Sequence, residues 1–216
     1  MRSMTTRAII VSATALLAVS PWVLFAQPAA NPADALLDVL VWGTHIRIDP
    51  AAYPPVLRTE VERHLRRSRA YRSKRPEPAD AGLQMVHAAQ VRYERRLVAV
   101  SNDPSAPAFA AAYVTRLRPC YEWEGYHDCP EREARFADAY QASHPDGPFS
   151  SYLPLLAAHR WLCTAEAYDY EKRAEDAARS REAYEQRLIA ARRSTRVLIR
   201  TAAERLATRG RCFGSD

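Results

Sequence analysis

The chain has 216 residues, a formal net charge of +6 and 48% hydrophobic residues, but only six glycines. It contains no G-x-S-x-G, no H-E-x-x-H and no phosphate-cradling glycine loop, which excludes the hydrolase, metalloprotease and nucleotide-binding classes that rest on those motifs. Its arginine surplus is shared with abundant alanine and by itself indicates no chemistry.

Residues 1–26 read as a secretory signal peptide. Met1 to Arg7 carries two arginines and no acid, Ala8 to Phe25 is an apolar run, and Ala26 precedes Gln27-Pro28. A retained anchor is the competing reading, because an 18-residue run is only at the short end for a span. Pro21 disfavours an anchor by breaking the helix where a cleavage region becomes extended. Cleavage after Ala26 removes Arg2 and Arg7 and no acids, so +6 falls to +4. Residues 27–33 then form a flexible leader and 34–216 a single α-helical domain, with no membrane span left.

Asp34 is a candidate cap for a short helix through Leu36, Leu37, Val39, Leu40 and Val41, which Gly43 stops. His45 to Asp49 reads as an extended connector. Pro55 sits at the first position of a helix running to Tyr71, with Val56 or Leu57, Val61 and Leu65 inward. Between Arg58 and Arg75 stand eight basic residues and two acids, Glu60 and Glu62. Such a run reads either as a solvated helix face or as a binding face for an acidic partner, centred on Arg63, Arg66 and Arg67. The export signal directs the second reading to an anionic envelope component or an acidic protein rather than to nucleic acid.

Asp80 opens a third helix to Val100, with Leu83, Val86, Val91 and Leu97 at inward spacing and His87 at the core edge. Ser101 to Pro104 is a turn cluster. A fourth helix passes Phe109, Tyr113 and Leu117 and ends before Pro119.

Four cysteines in an exported chain imply two disulfides. The favoured pairing is Cys120 with Cys129 and Cys163 with Cys212. His127 beside Cys129 invites a zinc site, but no C-x-x-C pair supports one, so no metal or cofactor is expected. The loop closed by Cys120–Cys129 holds Tyr121, Trp123 and Tyr126 interleaved with Glu122 and Glu124. Rings and charge in a covalently closed loop make a recognition surface, because aromatics give large contact area at low entropy cost. The alternative is that the rings plug the core. Residues 120–146 carry seven acids against two arginines, an asymmetry that internal packing on basic helices would also use.

Pro130-Glu131-Arg132-Glu133 starts a helix to His144, and Pro145 to Pro148 breaks the chain. From Phe149 to Arg209 there is one proline, Pro154, and no glycine. Alternating steps of four and three pick out Cys163, Ala167, Tyr170, Ala174, Ala177, Arg181, Tyr184, Leu188, Ala191, Thr195, Leu198 and Ala202, an amphipathic stripe with polar interruptions at Arg181 and Thr195. Ser150 or Ser151 is placed to cap the stretch, and Ser180 and Ser194 to cap new helices at the interruptions. A single rod over 150–208 would run on the order of 88 Å, too long for a compact domain of this size. The Cys163–Cys212 bond requires its Cα atoms to come within about 7 Å, which excludes a hairpin turning at Ser180. A hairpin turning near Arg187 meets the demand but breaks the stripe at Tyr184 and Leu188, so three helices near 150–172, 175–192 and 195–209 are expected.

His159, Cys163 and Glu166 share a helix face and resemble a base, nucleophile and orienting group, but the disulfide consumes the thiol. Glu122 with Glu124 and Glu131 with Glu133 are candidate carboxylate pairs. The expectation is an exported, periplasmic or secreted all-α domain, an irregular bundle or helical-hairpin array, that binds another protein as an envelope adaptor or an inhibitor or immunity-type protein. A small envelope hydrolase using His159 or the carboxylates, and a purely structural scaffold, are the alternatives.

Overall fold

The computed structural model of the protein describes residues 31–43, 48–120 and 123–213. Residues 1–26, expected to be a signal peptide, most of the expected 45–49 connector, and Tyr121 with Glu122 lie outside them. The described residues form eight α-helices: α1 Pro32–Trp42, α2 Pro55–Ala70, α3 Ala81–Val100, α4 Ala106–Arg116, α5 Asp128–Ser143, α6 Leu153–Tyr170, α7 Ala174–Arg192 and α8 Val197–Arg209. One turn of 3-10 helix, Pro50–Ala52, precedes α2, and the described residues contain no strand. The fold is all-α, closed by Cys120–Cys129 and Cys163–Cys212.

The helix at the centre is α6. Fifteen of its eighteen residues are buried, as in a helix enclosed on every side. It packs against α1, α5, α7 and α8, and the core continues without a break from Leu36 to Leu206. Because no face of α6 meets water, its polar residues His159, Arg160 and Thr164 must find partners inside the protein. Thr164 donates to the Arg160 carbonyl one turn back; the other two build the network described below.

Several local signals act where the sequence places them. Gly43 ends α1 in a left-handed conformation, φ 66°, and returns its N–H to the Val39 carbonyl. Asp80 caps α3 by accepting from the Gly82 and Leu83 amides at 2.7 and 3.2 Å. Other caps differ. Asn31, not Asp34, caps α1 by accepting from the Ala33 amide; Asp34 lies within the first turn and pairs with Arg205 of α8. The cap position of α6 is Tyr152, which makes no side-chain cap bond, so neither Ser150 nor Ser151 has that role.

The C-terminal stretch divides into three helices at the expected boundaries, but one break has a different cause. Arg181 and Ser180 lie inside α7, where Ser180 is buried and donates to the Asp176 carbonyl. The chain turns at Glu171–Arg173 instead. Lys172 takes φ 63°, its N–H donates to the Asp169 carbonyl, and Arg173 N–H reaches the Tyr168 carbonyl. That is a Schellman ending with lysine where glycine is usual. Tyr170, 76% exposed, and Ala174 flank the turn and so leave the buried stripe. The second break falls at Thr195 as expected, where the Ser194 hydroxyl accepts from the Arg196 amide. The cap position of α8 is Arg196, without a side-chain cap bond, so Ser194 does not cap it.

Opposite expectation, Leu83 points to solvent: it is 55% exposed and Met85 50%. The first two turns of α3 project beyond its neighbours, and full burial starts only at Ala89.

Candidate functional site

The C-terminal end of α1 lies inside the protein, so its last carbonyls require donors from elsewhere in the chain. Tyr152 donates to Leu40 O at 2.6 Å. Arg96 Nη1 and Arg160 Nη2 both donate to Val41 O, at 2.8 and 2.7 Å. Two guanidiniums at a helix C-terminus also meet the negative end of its dipole. Glu133 of α5 bridges the pair, accepting from Arg96 and, at 2.6 Å, from Arg160. Burial alone would push the Glu133 carboxyl up, but Arg160 and Arg96 outweigh it and hold it below its usual value. This Arg–Glu–Arg triad joins α3, α5 and α6 to the end of α1.

The triad is the floor of a ring cluster. Arg160 lies 4.3 Å from the centre of the Trp42 ring. Trp42 stacks on Phe213 at 5.3 Å and on Trp123 at 5.9 Å, and Trp123 stacks on Phe213 at 5.2 Å. His159 meets Trp42 edge-on at 4.9 Å. The three stacked rings come from the end of α1, the loop between α4 and α5, and the tail after α8. Phe213 and Tyr126 are each 52% exposed. The Trp123 indole N–H donates to the Tyr126 carbonyl at 2.5 Å, which fixes the loop's shape. Beside it lies a cleft of about 340 Å³ whose wall includes Arg118, Pro119, Trp123, Glu124, Tyr126 and Arg132.

Each contributor is fastened from behind. Cys163–Cys212 ties the tail to α6, the Cys212 amide donates to Glu166, and His159 Nε2–H donates to the Cys212 carbonyl at 2.9 Å. The loop is closed by Cys120–Cys129 and anchored by His127, whose amide and Nδ1 both bond Glu171 at the turn between α6 and α7. The His127 ring stacks on Tyr168, whose hydroxyl donates to Glu131.

Of the residues singled out from sequence, Trp123, Glu124 and Tyr126 share this surface. Arg63, Arg66 and Arg67 lie on α2, away from it. The acid excess of 120–146 is used within the fold, but not against α2. Glu133 joins the triad, Glu131 binds Arg135 and Tyr168, and Asp138 takes Arg187 and the Trp161 indole N–H. The carboxylate pair Glu131 and Glu133 is thus divided between two internal sites. Trp42 and Phe213 are the site residues that sequence reasoning missed; neither carries a local signal, because each acquires its partners only through the fold.

His159 is no base for Cys163. Both sulfurs are in the disulfide, Arg160 Nη1 donates to His159 Nδ1 at 2.7 Å, and the ring is fully buried. Burial, then Arg160 and Arg209, push its pKa far below the ordinary histidine value, so it is neutral. The same bonds account for the close grouping of His159, Cys163 and Cys212. With both sulfurs bonded to each other and both ring nitrogens engaged, that trio has no ligand atom to offer a metal.

The two disulfides point to a non-reducing, extracellular-type environment. Among the described residues no helix is long and apolar enough to cross a membrane. The chain matches no protein-family model, no curated protein and no solved structure.

Proposed function

We propose that the protein is an exported, periplasmic or secreted binding protein that engages another protein through Trp42, Trp123, Tyr126 and Phe213, with Glu124 and Arg132 at the rim. It acts as an envelope adaptor or as an inhibitor of its partner. The observation that carries this reading is the stacking of three rings from distant parts of the chain on a buried, ion-paired floor, while Phe213 and Tyr126 remain half exposed. Rings that served only to plug the core would have no reason to keep that exposure. Rigid aromatics surrounded by charge are the usual composition of an energetic centre in an interface.

The test is affinity capture from envelope extract with the chain and its Trp123→Ala/Tyr126→Ala variant, followed by titration of the captured protein against both. Loss of about 2 kcal/mol, roughly thirtyfold in Kd, is expected for the variant. Equal affinity would remove the ring surface from the function.

A further inference from the structure

At the other end of α7 and α8 the chain turns through residues 193–196 against the middle of α2. Glu60 of α2 accepts from the Leu198 amide at 3.2 Å and lies 3.9 Å from Arg196. Arg196 also donates to the Val100 carbonyl at the end of α3. These contacts set the Arg196 guanidinium beside α2, where Arg63, Arg66 and Arg67 follow one another at helical spacing on one side. Burial and then the like charges of Arg63, Arg196 and Arg66 depress the Arg67 pKa, and burial with Arg63 does the same to Arg196 against the pull of Glu60. Arg193 is exposed at the end of α7, and Arg200 folds back onto the Ser194 carbonyl at 2.8 Å. Glu60 faces Arg196 and Glu62 is exposed beside Arg63, while Glu204 is taken by Arg192, so two acids stand against Arg63, Arg66, Arg67, Arg193, Arg196 and Arg200. The fold thus collects guanidiniums from two separate parts of the sequence and leaves their repulsion largely uncompensated.

We infer that the arginine cluster of α2 and the α7–α8 turn is a docking surface for the phosphates of an anionic phospholipid membrane. The guanidinium is a planar multidentate donor suited to phosphate. Ile189, one turn before Arg193, is 48% exposed, but the guanidiniums dominate the cluster, so its partner is held chiefly by charge, as a phospholipid headgroup layer is. Placement supports the same source. The cluster lies at the C-terminal end of α7 and the N-terminal end of α8. The ring surface lies at the opposite ends of both helices, beside the α6–α7 turn and past the C-terminal end of α8. A chain held on a membrane by its arginines presents the rings outward. The inference does not depend on the rings having a protein partner.

The test uses the chain from Gln27 onward, which contains the entire core and both disulfides. Its co-sedimentation is measured with phosphatidylcholine vesicles with and without phosphatidylglycerol. Binding is expected only where phosphatidylglycerol is present, falling steeply with added salt. Each arginine removed is expected to weaken it about fivefold, so Arg63→Gln/Arg66→Gln/Arg193→Gln should lose on the order of a hundredfold. The charge-matched control Arg135→Gln/Arg179→Gln/Arg181→Gln, all exposed and away from the cluster, and Trp123→Ala should both bind as the parent does. Equal loss in the control would reduce the effect to net charge and overturn the proposal. So would equal binding to phosphatidylcholine alone, or binding to soluble polyglutamate as tight as to the vesicles, which would assign the surface to an acidic protein.

Discussion

The two ends of the α7–α8 pair use arginine in opposite ways. At the ring end, Arg96 and Arg160 are buried, share one carboxylate and one helix-terminal carbonyl, and hold up Trp42. At the other end, Arg63 and Arg66 are exposed, and Arg67 and Arg196 are partly buried, with Glu60 beside Arg196 and Glu62 beside Arg63. A buried guanidinium needs every partner in place, because removing one leaves a desolvated charge. An exposed one is screened by water and salt, so it can be added or removed with little effect on the fold. The first arrangement makes a rigid platform, and the second makes a charged surface. Each end also holds a neutral histidine beside guanidiniums: His159 with Arg160 and Arg209, His64 with Arg196 and Arg67.

The sharpest way to break this comparison is Glu133→Gln, which leaves two buried guanidiniums without their carboxylate. It should cost about 3–5 kcal/mol in urea unfolding, whereas Arg66→Gln should change stability by less than about 0.5 kcal/mol. A loss below about 1 kcal/mol for Glu133→Gln would mean that the triad is not what supports the platform.

Next in size is the disulfide pair. Cys163→Ser/Cys212→Ser opens a closure spanning 49 residues and Cys120→Ser/Cys129→Ser one of nine. Chain entropy predicts costs of about 4 and about 3 kcal/mol. The first frees the tail that carries Phe213 and the second the loop that carries Trp123, so the tryptophan emission of the native state should shift in both. Unchanged emission would show that the rings hold together without the bond.

The smallest effect is shared by both ends and appears as pH dependence. The His64 pKa is lowered to about 4, first by burial and then by Arg196 and Arg67, and His159 is lowered in the same direction. On acidification the unfolded chain therefore takes up these protons first. Stability contributed by the neutral rings is complete above about pH 6.5 and is lost as pH falls toward 4. Between pH 7 and 5 the lowered His64 pKa should account for about 2 kcal/mol, with His159 acting in the same direction, and His64→Gln should remove its share of the slope. The same slope in the variant as in the parent would place the titration elsewhere.

Much of this molecule is legible from residue order alone, because its signals are local. Helical periodicity, prolines near helix starts, the Asp80 cap and the Gly43 stop act within a few residues of themselves. The two disulfides follow from four cysteines and a short loop, and the demand that Cys163 and Cys212 meet, together with an unbroken stripe at Tyr184 and Leu188, gives three helices after Phe149. What was misread locally has local causes as well. The Lys172 turn uses a conformation that lysine seldom adopts, and nothing in the sequence marks it. Leu83 has an inward spacing on α3, but no neighbouring helix extends far enough to cover it.

The long-range pairings were decided only by tertiary structure. Arg96, Glu133 and Arg160 are separated by 37 and 27 residues, and each alone reads as an ordinary surface charge. The fold makes them a buried triad because α6 is enclosed on all sides and the end of α1 needs donors. Trp42, Trp123 and Phe213 become one surface, and Arg196 joins the arginines of α2, for the same reason. Periodicity states which face of a helix turns inward, but which helix meets that face depends on how the helices pack against one another, with α1, α5, α7 and α8 around α6.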